Sequence, residues 1–423
     1  MTVPGRHILF LTDNFPPEVN APASRTFEHC REWVRQGYRV TVVTSNPNFP
    51  EGRLHDGYRN RLWQSEMIAG MRVIRVWTYI APNAGFSKRV FDFLTYMVTA
   101  TIAGLFVRGV DLVVGTSPHL FITCAAMILG WVKRVPYVFE LRDLWPESIK
   151  TVAAMKQGRV IELLERLELF LYRRAALVVA VTHSFKAALV RRGIPPDKIR
   201  VITNGADLQR FGPGPFPTEL AHSLGLEDRF VAGYIGTHGM AHGLTTLLDA
   251  AEMVLLRPGG EDVVFLLIGQ GAERAALRRD AEQRGLSNVR FLDPVPKHAV
   301  ADYWRLLNVA IIHVRRHDLF ETVIPSKTFE AMAVGTPILH GVRGESADIV
   351  RRTGAGIVFE PEDASALADL VLRVKYNPTL RAELSRNGVA AASEYDRLNL
   401  ARAMLRDLEE VLRAGRAIER SAP

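Results

Sequence analysis

Ser326, Lys327 and Glu330 fall within one run, Ile324-Pro325-Ser326-Lys327-Thr328-Phe329-Glu330-Ala331-Met332-Ala333-Val334-Gly335-Thr336-Pro337. Pro325 disfavours helix for Ile324, Ser326 is expected to accept from the N–H groups that open a helix, and Gly335 with Pro337 stops it. Unpaired N–H groups and the positive end of the helix dipole form an anion site, which a lysine at the same end strengthens. Glu330 follows Lys327 by three positions, so cation and carboxylate project from one face. An acceptor beside a phosphate site suits a ribose diol, and the expected ligand is a nucleoside diphosphate. The same residues also describe a capped surface helix with an internal Lys–Glu pair, and the short motif alone does not separate the two readings.

A second concentration of chemistry is Arg142-Asp143-Leu144-Trp145-Pro146-Glu147-Ser148, just past the apolar run 136–141. Three charged residues and a tryptophan at a strand end exceed what packing requires, although Asp143 or Glu147 can also serve as a helix cap. Asn20 and Ser24, in the Pro/Asn-rich loop 13–24, are candidate contacts to a diphosphate or sugar. His119, after Ser117-Pro118, either faces a ligand or is structural. Thr237 and His242 lie in a glycine-rich turn, and Val295 lies in a Pro-rich one.

The elements that must hold these residues follow from short apolar runs alternating with amphipathic stretches. Strands are expected at 7–12, 39–44, 73–79, 111–115, 136–141, 177–182 and 199–202, each ending near a candidate residue or a turn, with helices at 25–36, 91–107, 120–132 and 158–176 between them. After the dense Pro/Gly stretch 211–217 the pattern repeats, with strands at 230–235, 263–268, 289–292 and 309–314. This is the alternation of doubly wound α/β units, in which ligands sit beyond the carboxyl ends of strands. We expect a domain over 1–206 and a second over 207–396, with the terminal helix 397–423 packing back on the first.

A chain of 423 residues has room for two such cores, and 48% hydrophobic with 23% charged residues is a globular composition. The net charge of +8 favours an anionic partner. Without interleaved aromatics, zinc-finger spacing or a compact basic run, nucleic acid is not expected. Cys30 and Cys124 sit in apolar surroundings with no ligand spacing, which reads as reduced core thiols of a cytosolic protein and no metal site. Residues 1–6 lead straight into a strand rather than a signal peptide. The run 91–107 is too short and too often broken by Thr and Gly to span a membrane. It is either buried against a sheet or also touches a bilayer surface.

Taken together, FPPEVNAPASR, RDLWPES, VITNGAD, YIGTHGMAHGL, LLIGQGAE, PSKTFEAMAVGTPIL and GAGIVFEPEDASAL resemble the retaining glycosyltransferases of family 4 over nearly the whole chain. RDLWPES with PSKTFE is most similar to the fucosamine and colanic-acid transferases of surface polysaccharide assembly. The resemblance implies the GT-B fold, two Rossmann-like domains facing across a cleft. It implies a sugar moved with retention from a nucleotide diphosphate, UDP or another, with no cofactor and no metal. The acceptor would be lipid-linked or a saccharide, met at the inner face of the cell membrane, and the sugar an N-acetylated deoxyhexosamine. Glu330 would bond the ribose, and the backbone at Val295 would face the base. Two alternatives stay open: a UDP-sugar epimerase, and a non-catalytic sugar-nucleotide-binding subunit.

The chain departs from that family in specific places. A first glutamate, separated from Glu330 in the family by seven intervening residues, falls on Thr322, with Glu321 one place off. The arginine and lysine of the loop opening the second domain are Thr237 and His242, and the glycine pair of the first loop is Asn20 and Ala21. A diphosphate needs charged donors, so Lys327 is expected to replace the missing cations. The histidine usually presented after the strand ending at Leu141 is replaced by Arg142 and Asp143. Asp143 is therefore assigned to the sugar or attacking hydroxyl, and Arg142 to phosphate or acceptor.

Overall fold

The structure is a computed structural model that describes residues 5–49, 52–80, 86–117, 119–144 and 158–421. Its contacts divide the chain into two units, Met1–Thr203 with Arg397–Pro423, and Asn204–Asp396. The Pro/Gly stretch 211–217 belongs to the second unit, where Phe211 is buried and the Arg305 guanidinium donates to the Gly212 carbonyl.

The first unit opens with β1 (His7–Leu11), α1 (Ala21–Arg35) and β2 (Arg39–Ser45), followed by β3 (Trp63–Ile68), β4 (Met71–Val76) and α2 (Phe86–Leu105). It continues through β5 (Leu112–Thr116), α3 (Leu120–Lys133), β6 (Tyr137–Leu141), α4 (Arg159–Arg174), β7 (Leu177–Ala180), α5 (His183–Arg191) and β8 (Ile199–Val201). The strands form one sheet in the order β3-β4-β2-β1-β5-β6-β7-β8, parallel except for the β3–β4 pair. Side chains alternate across it: Leu9 and Leu11 join the core beneath α2, α3 and α4, while Ile8 and Phe10 join the core beneath α1.

Two local departures from the sequence reading have clear causes. The expected loop 13–24 is shorter, because α1 begins at Ala21. Asn20 caps it by accepting from the Ala23 N–H at 2.8 Å, and Pro22 occupies the first turn, where a missing N–H costs nothing. Strand β3 was not anticipated. Only alternate residues along it are half-buried and its turn is Ala69-Gly70, both at positive φ, so it carries no continuous apolar run to announce it.

The second unit holds α6 (Thr218–Leu224), β9 (Phe230–Ile235), α7 (Thr245–Leu255), β10 (Val263–Ile268), α8 (Arg274–Gln283), β11 (Val289–Leu292), α9 (Val300–Leu306) and β12 (Val309–His313). It closes with α10 (Ser326–Val334), β13 (Ile338–Gly341), α11 (Glu345–Thr353), β14 (Gly356–Val358), α12 (Ala364–Lys375) and α13 (Pro378–Ala392). Its sheet is fully parallel, in the order β11-β10-β9-β12-β13-β14. Helices on both faces make near-continuous apolar strands necessary, as in VVFLLI of β10.

The last helix, α14 (Arg397–Ser421), is part of the first unit. Met404, Leu405, Leu408 and Leu412 join the core beneath α1, and the Trp33 indole donates to the Ala401 carbonyl at 2.9 Å. Arg397 pairs with Glu28, both nearly fully buried, and Arg402 pairs with Glu32 at 2.7 Å. Removing one partner of a buried pair leaves the other charge without compensation. Arg397→Met is therefore expected to lower the unfolding free energy by about 3–5 kcal/mol, read as a lower urea midpoint with unchanged slope.

Candidate functional site

In the second unit, α10 starts at the carboxyl edge of its sheet, after β12, and the turn following β9 lies beside it. Helix α10 differs from expectation at its first residue. Its N-cap is Pro325, no side chain caps it, and Ser326 is the first helical residue rather than the cap. The expected capping bond is absent because the hydroxyl sits one position too far along the chain. The opening turn thus keeps its positive end available to an anion.

Lys327 turns back from that opening turn over the Tyr234 ring, with its Nζ 3.8 Å from the centroid. The Nζ is buried and makes no hydrogen bond among the described residues. Burial holds its pKa down to about 7, with the Glu330 carboxylate pulling the other way. Glycine is required at 236: φ is +148°, and an added Cβ would stand 2.5 Å from the Lys327 Nζ. The Tyr234 hydroxyl donates to the Thr237 carbonyl at 2.8 Å, tying the aromatic platform to the turn that passes over it.

Lys327, Thr237, His242, Ser326 and Glu330 are thus assembled in one unit. Thr237 is exposed. Burial, then the charge of Lys327, holds His242 down to about 3, so its imidazole is neutral at ordinary pH. His313 fixes the turn by donating from Nδ1 to the His242 carbonyl at 2.7 Å, while its Nε2 accepts the Glu362 N–H at 2.9 Å. Glu330 accepts the Trp304 indole N–H at 3.2 Å, which orients the carboxylate. Val295 is half-buried against the core that contains Trp304. The Thr322 hydroxyl donates to its own turn at Leu319, and the Glu321 carboxylate faces Arg343 at 3.6 Å.

The sequence reading missed Tyr234 and His238. His238 is fully buried, and burial followed by Arg274 and Lys327 holds its pKa down to about 4. A tyrosine at the end of an apolar strand, two residues before a glycine turn, was the available signal for the platform.

In the first unit the candidates divide differently. The Ser117 hydroxyl accepts the N–H groups of Arg142 at 2.8 Å and Asp143 at 3.3 Å, and so shapes the turn after β6. The Arg142 guanidinium donates to the Pro22 carbonyl at 3.1 Å, and burial beside Arg25 and Arg397, against Glu140, holds its pKa down to about 10. Arg142 therefore braces the start of α1. Burial pushes the Glu140 carboxyl up, but Arg25 and Arg142 outweigh it and leave it below its ordinary value. Asn20 is committed at both ends, capping α1 through Oδ1 and donating through Nδ2 to Asn14 at 2.6 Å. Ser24 is buried in the first turn of α1. His119 is buried with its ring centroid 3.7 Å from that of Phe93 and 5.7 Å from that of Tyr96, as a core histidine would be. Trp145, Pro146, Glu147 and Ser148 lie outside the described residues.

Cys30 and Cys124 are free and buried. Among the described residues no group of three or more His, Cys, Asp or Glu is placed to hold a metal ion, and no helix is long and apolar enough to cross a membrane.

Comparison with known proteins agrees with this architecture. Residues 20–205 match the glycosyl transferase 4-like domain, and residues 218–390 match the glycosyl transferases group 1 domain. Both units are Rossmann-like, and the chain is a glycosyltransferase of the GT-B fold. It belongs to the glycosyltransferases that join a 4-like domain to a group 1 domain. Among its relatives is WcaI of Escherichia coli, named for colanic acid biosynthesis. WcaI is 23% identical over 421 residues, covering 95% of this chain and 99% of the relative. Solved structures with the same fold include sucrose-phosphate synthase of Thermosynechococcus elongatus, with TM-score 0.76, 18% identity, 97% of this chain and 100% of that one. Anabaena HepE, solved with UDP and glucose, aligns with TM-score 0.71 and 18% identity over 95% of this chain and 99% of its own.

The buried lysine makes a testable signature. The folded state holds Lys327 neutral above about pH 7, whereas the unfolded chain keeps it protonated to about pH 10.4. The cost of burying the ammonium is therefore full below pH 7 and disappears as pH rises towards 10. Lys327→Met should be more stable than wild type at pH 6, with the gap closing by pH 10, measured as melting temperature against pH.

Proposed function

We propose that the enzyme moves a sugar from a nucleotide diphosphate donor, UDP-linked, to a lipid-linked or saccharide acceptor in surface polysaccharide biosynthesis at the inner face of the cell membrane. The observation that carries this reading is the buried Lys327 ammonium with no hydrogen bond, beside the uncapped start of α10. The family relative named for colanic acid biosynthesis and the UDP-bound structural neighbour support the pathway and the nucleotide. No cofactor beyond the donor enters the reading.

In this reading the opening N–H groups of α10 and Lys327 receive the diphosphate, with Ser326 and Thr237 as neutral donors and His242 lining the turn. Glu330, oriented by Trp304, accepts from the ribose hydroxyls, and the backbone near Val295 meets the base. The bond between the sugar's anomeric carbon and the diphosphate oxygen breaks while the acceptor hydroxyl attacks the same face. The acceptor's proton passes to the departing diphosphate, so the configuration is retained and no separate base is required. The protein's contribution is to stabilise the charge growing on the leaving group. Protonation of Lys327 accompanies binding, because a diphosphate raises the pKa that burial has lowered. Asp143, held by Ser117, is assigned to the sugar or the attacking hydroxyl.

A thermal-shift panel of nucleoside diphosphates and UDP-sugars tests the ligand class, since a ligand bound only by the folded state raises the melting point. Lys327→Ala is expected to weaken UDP binding at least tenfold by calorimetry. Unchanged affinity would remove the lysine from the site, and a wild-type protein that ignores every nucleotide would remove the reading. Asp143→Asn should keep UDP affinity and lose turnover. Conversion of UDP-sugar without acceptor would instead indicate an epimerase, and tight UDP binding with no turnover of any donor would indicate a binding subunit.

A further inference from the structure

From Phe91 onward the outward face of α2 is apolar. From position 90 to 107, with Lys88 and Arg108 exposed on either side, the exposed residues are Phe91, Leu94, Val98, Ile102 and Leu105 at helical spacing and Phe106 just past the helix, without a polar side chain among them. The threonines of the helix do not disturb this face, because their hydroxyls turn onto backbone carbonyls: Thr95 donates to Asp92 at 2.8 Å, Thr99 to Trp77 at 2.9 Å and Thr101 to Met97 at 2.7 Å. The opposite side of the helix is already spent, with Tyr96, Ala100 and Ala103 in the core of the first unit. Fifteen residues of helix, 91–105, give a stripe roughly 22 Å long.

The surroundings of the stripe are cationic and aromatic. Lys133, at the end of α3, donates to the carbonyls of Leu105 at 3.1 Å and Val107 at 2.7 Å, which brings its ammonium to the end of the stripe. Arg134 is exposed beside it, and Trp131, one turn earlier, is 81% exposed, more than any other aromatic among the described residues. Trp63 meets Phe106 edge to face at a centroid distance of 6.2 Å. An apolar helical face ended by lysine and arginine, with tryptophan at its margin, matches a lipid surface, where acyl chains take the apolar side chains and anionic headgroups take the cations.

We propose that the α2 face docks the protein on an anionic phospholipid bilayer, with the helix lying in the plane of the interface. A protein partner would need its own apolar groove framed by acidic residues. The bilayer needs only negative headgroups, and the net charge of +8 favours approach to them. The proposal stands apart from the donor site, because docking involves α2 and no nucleotide.

The test is co-sedimentation of the full chain, without nucleotide, with vesicles of phosphatidylcholine alone and of phosphatidylcholine with 30% phosphatidylglycerol. Binding is expected to the mixed vesicles, weaker by tenfold or more to the neutral ones, and reduced by high salt. The double variant Val98→Asp with Ile102→Asp should lose at least tenfold in vesicle binding while its melting temperature and the shift given by UDP match wild type. Lys88→Glu with Arg108→Glu should lose the preference for anionic lipid. Absence of vesicle binding by the wild type overturns the proposal. So does a double variant that binds vesicles as well as wild type, or a wild type that dimerises in sedimentation velocity through the same two residues.

Discussion

A lysine ammonium resting on an aromatic face, out of water and without a hydrogen bond, is the constraint around which the second unit is arranged. Desolvation works against its charge, and the Tyr234 ring with the Glu330 carboxylate offsets only part of that cost. The arrangement also dictates its neighbours. Gly236 has no Cβ because Lys327 fills that space, the Tyr234 hydroxyl is tied to the turn, and the adjacent histidines are held neutral. A positive site built from one lysine and a helix start thus has, among the described residues, no internal hydrogen-bond partner for the ammonium, which suits it to an anion supplied from outside.

The first unit uses charge in the opposite way. Its buried Arg25 spends its guanidinium on Glu140 at 3.0 Å and on the carbonyls of Ile202 at 2.9 Å and Thr203 at 2.6 Å. Arg142 joins the same interior, and Glu28 is matched by Arg397. These ions are neutralised within the unit and join β6, α1, the end of β8 and α14. Ser117 then needs only one hydroxyl to set the turn that carries Asp143. Arg142, assigned in the sequence to phosphate or acceptor, also braces the start of α1 through the Pro22 carbonyl.

The strands were legible because a doubly wound sheet, covered on both faces, leaves each as a short apolar run with a turn at its carboxyl end. The helix of PSKTFEAMAVG was legible for the same reason, bounded by proline and glycine. Less visible was anything fixed by a single atom. Asn20 as a cap and Asn20 as a ligand contact have one sequence signature, and only the 2.8 Å bond to Ala23 distinguishes them. Ser326 was misplaced by one residue because serine after proline fits both the cap and the first helical position. Strand β3 escaped because an edge strand with polar residues between half-buried ones has no continuous apolar signal. Tyr234 escaped because in a strand of apolar residues it reads as core, which it also is.

The order of the chain gives the return of α14 a further meaning. Residues 204–396 are contiguous, so the second unit can close as soon as it leaves the ribosome, whereas the first waits for residues that follow it. Until α14 arrives, Trp33 lacks its carbonyl partner and the side of the sheet beneath α1 lacks four of its apolar side chains. Synthesis therefore passes through a stage with a finished second unit and an uncovered first one. A nonsense codon after position 396 would release that species as product, sticky at one end and native at the other.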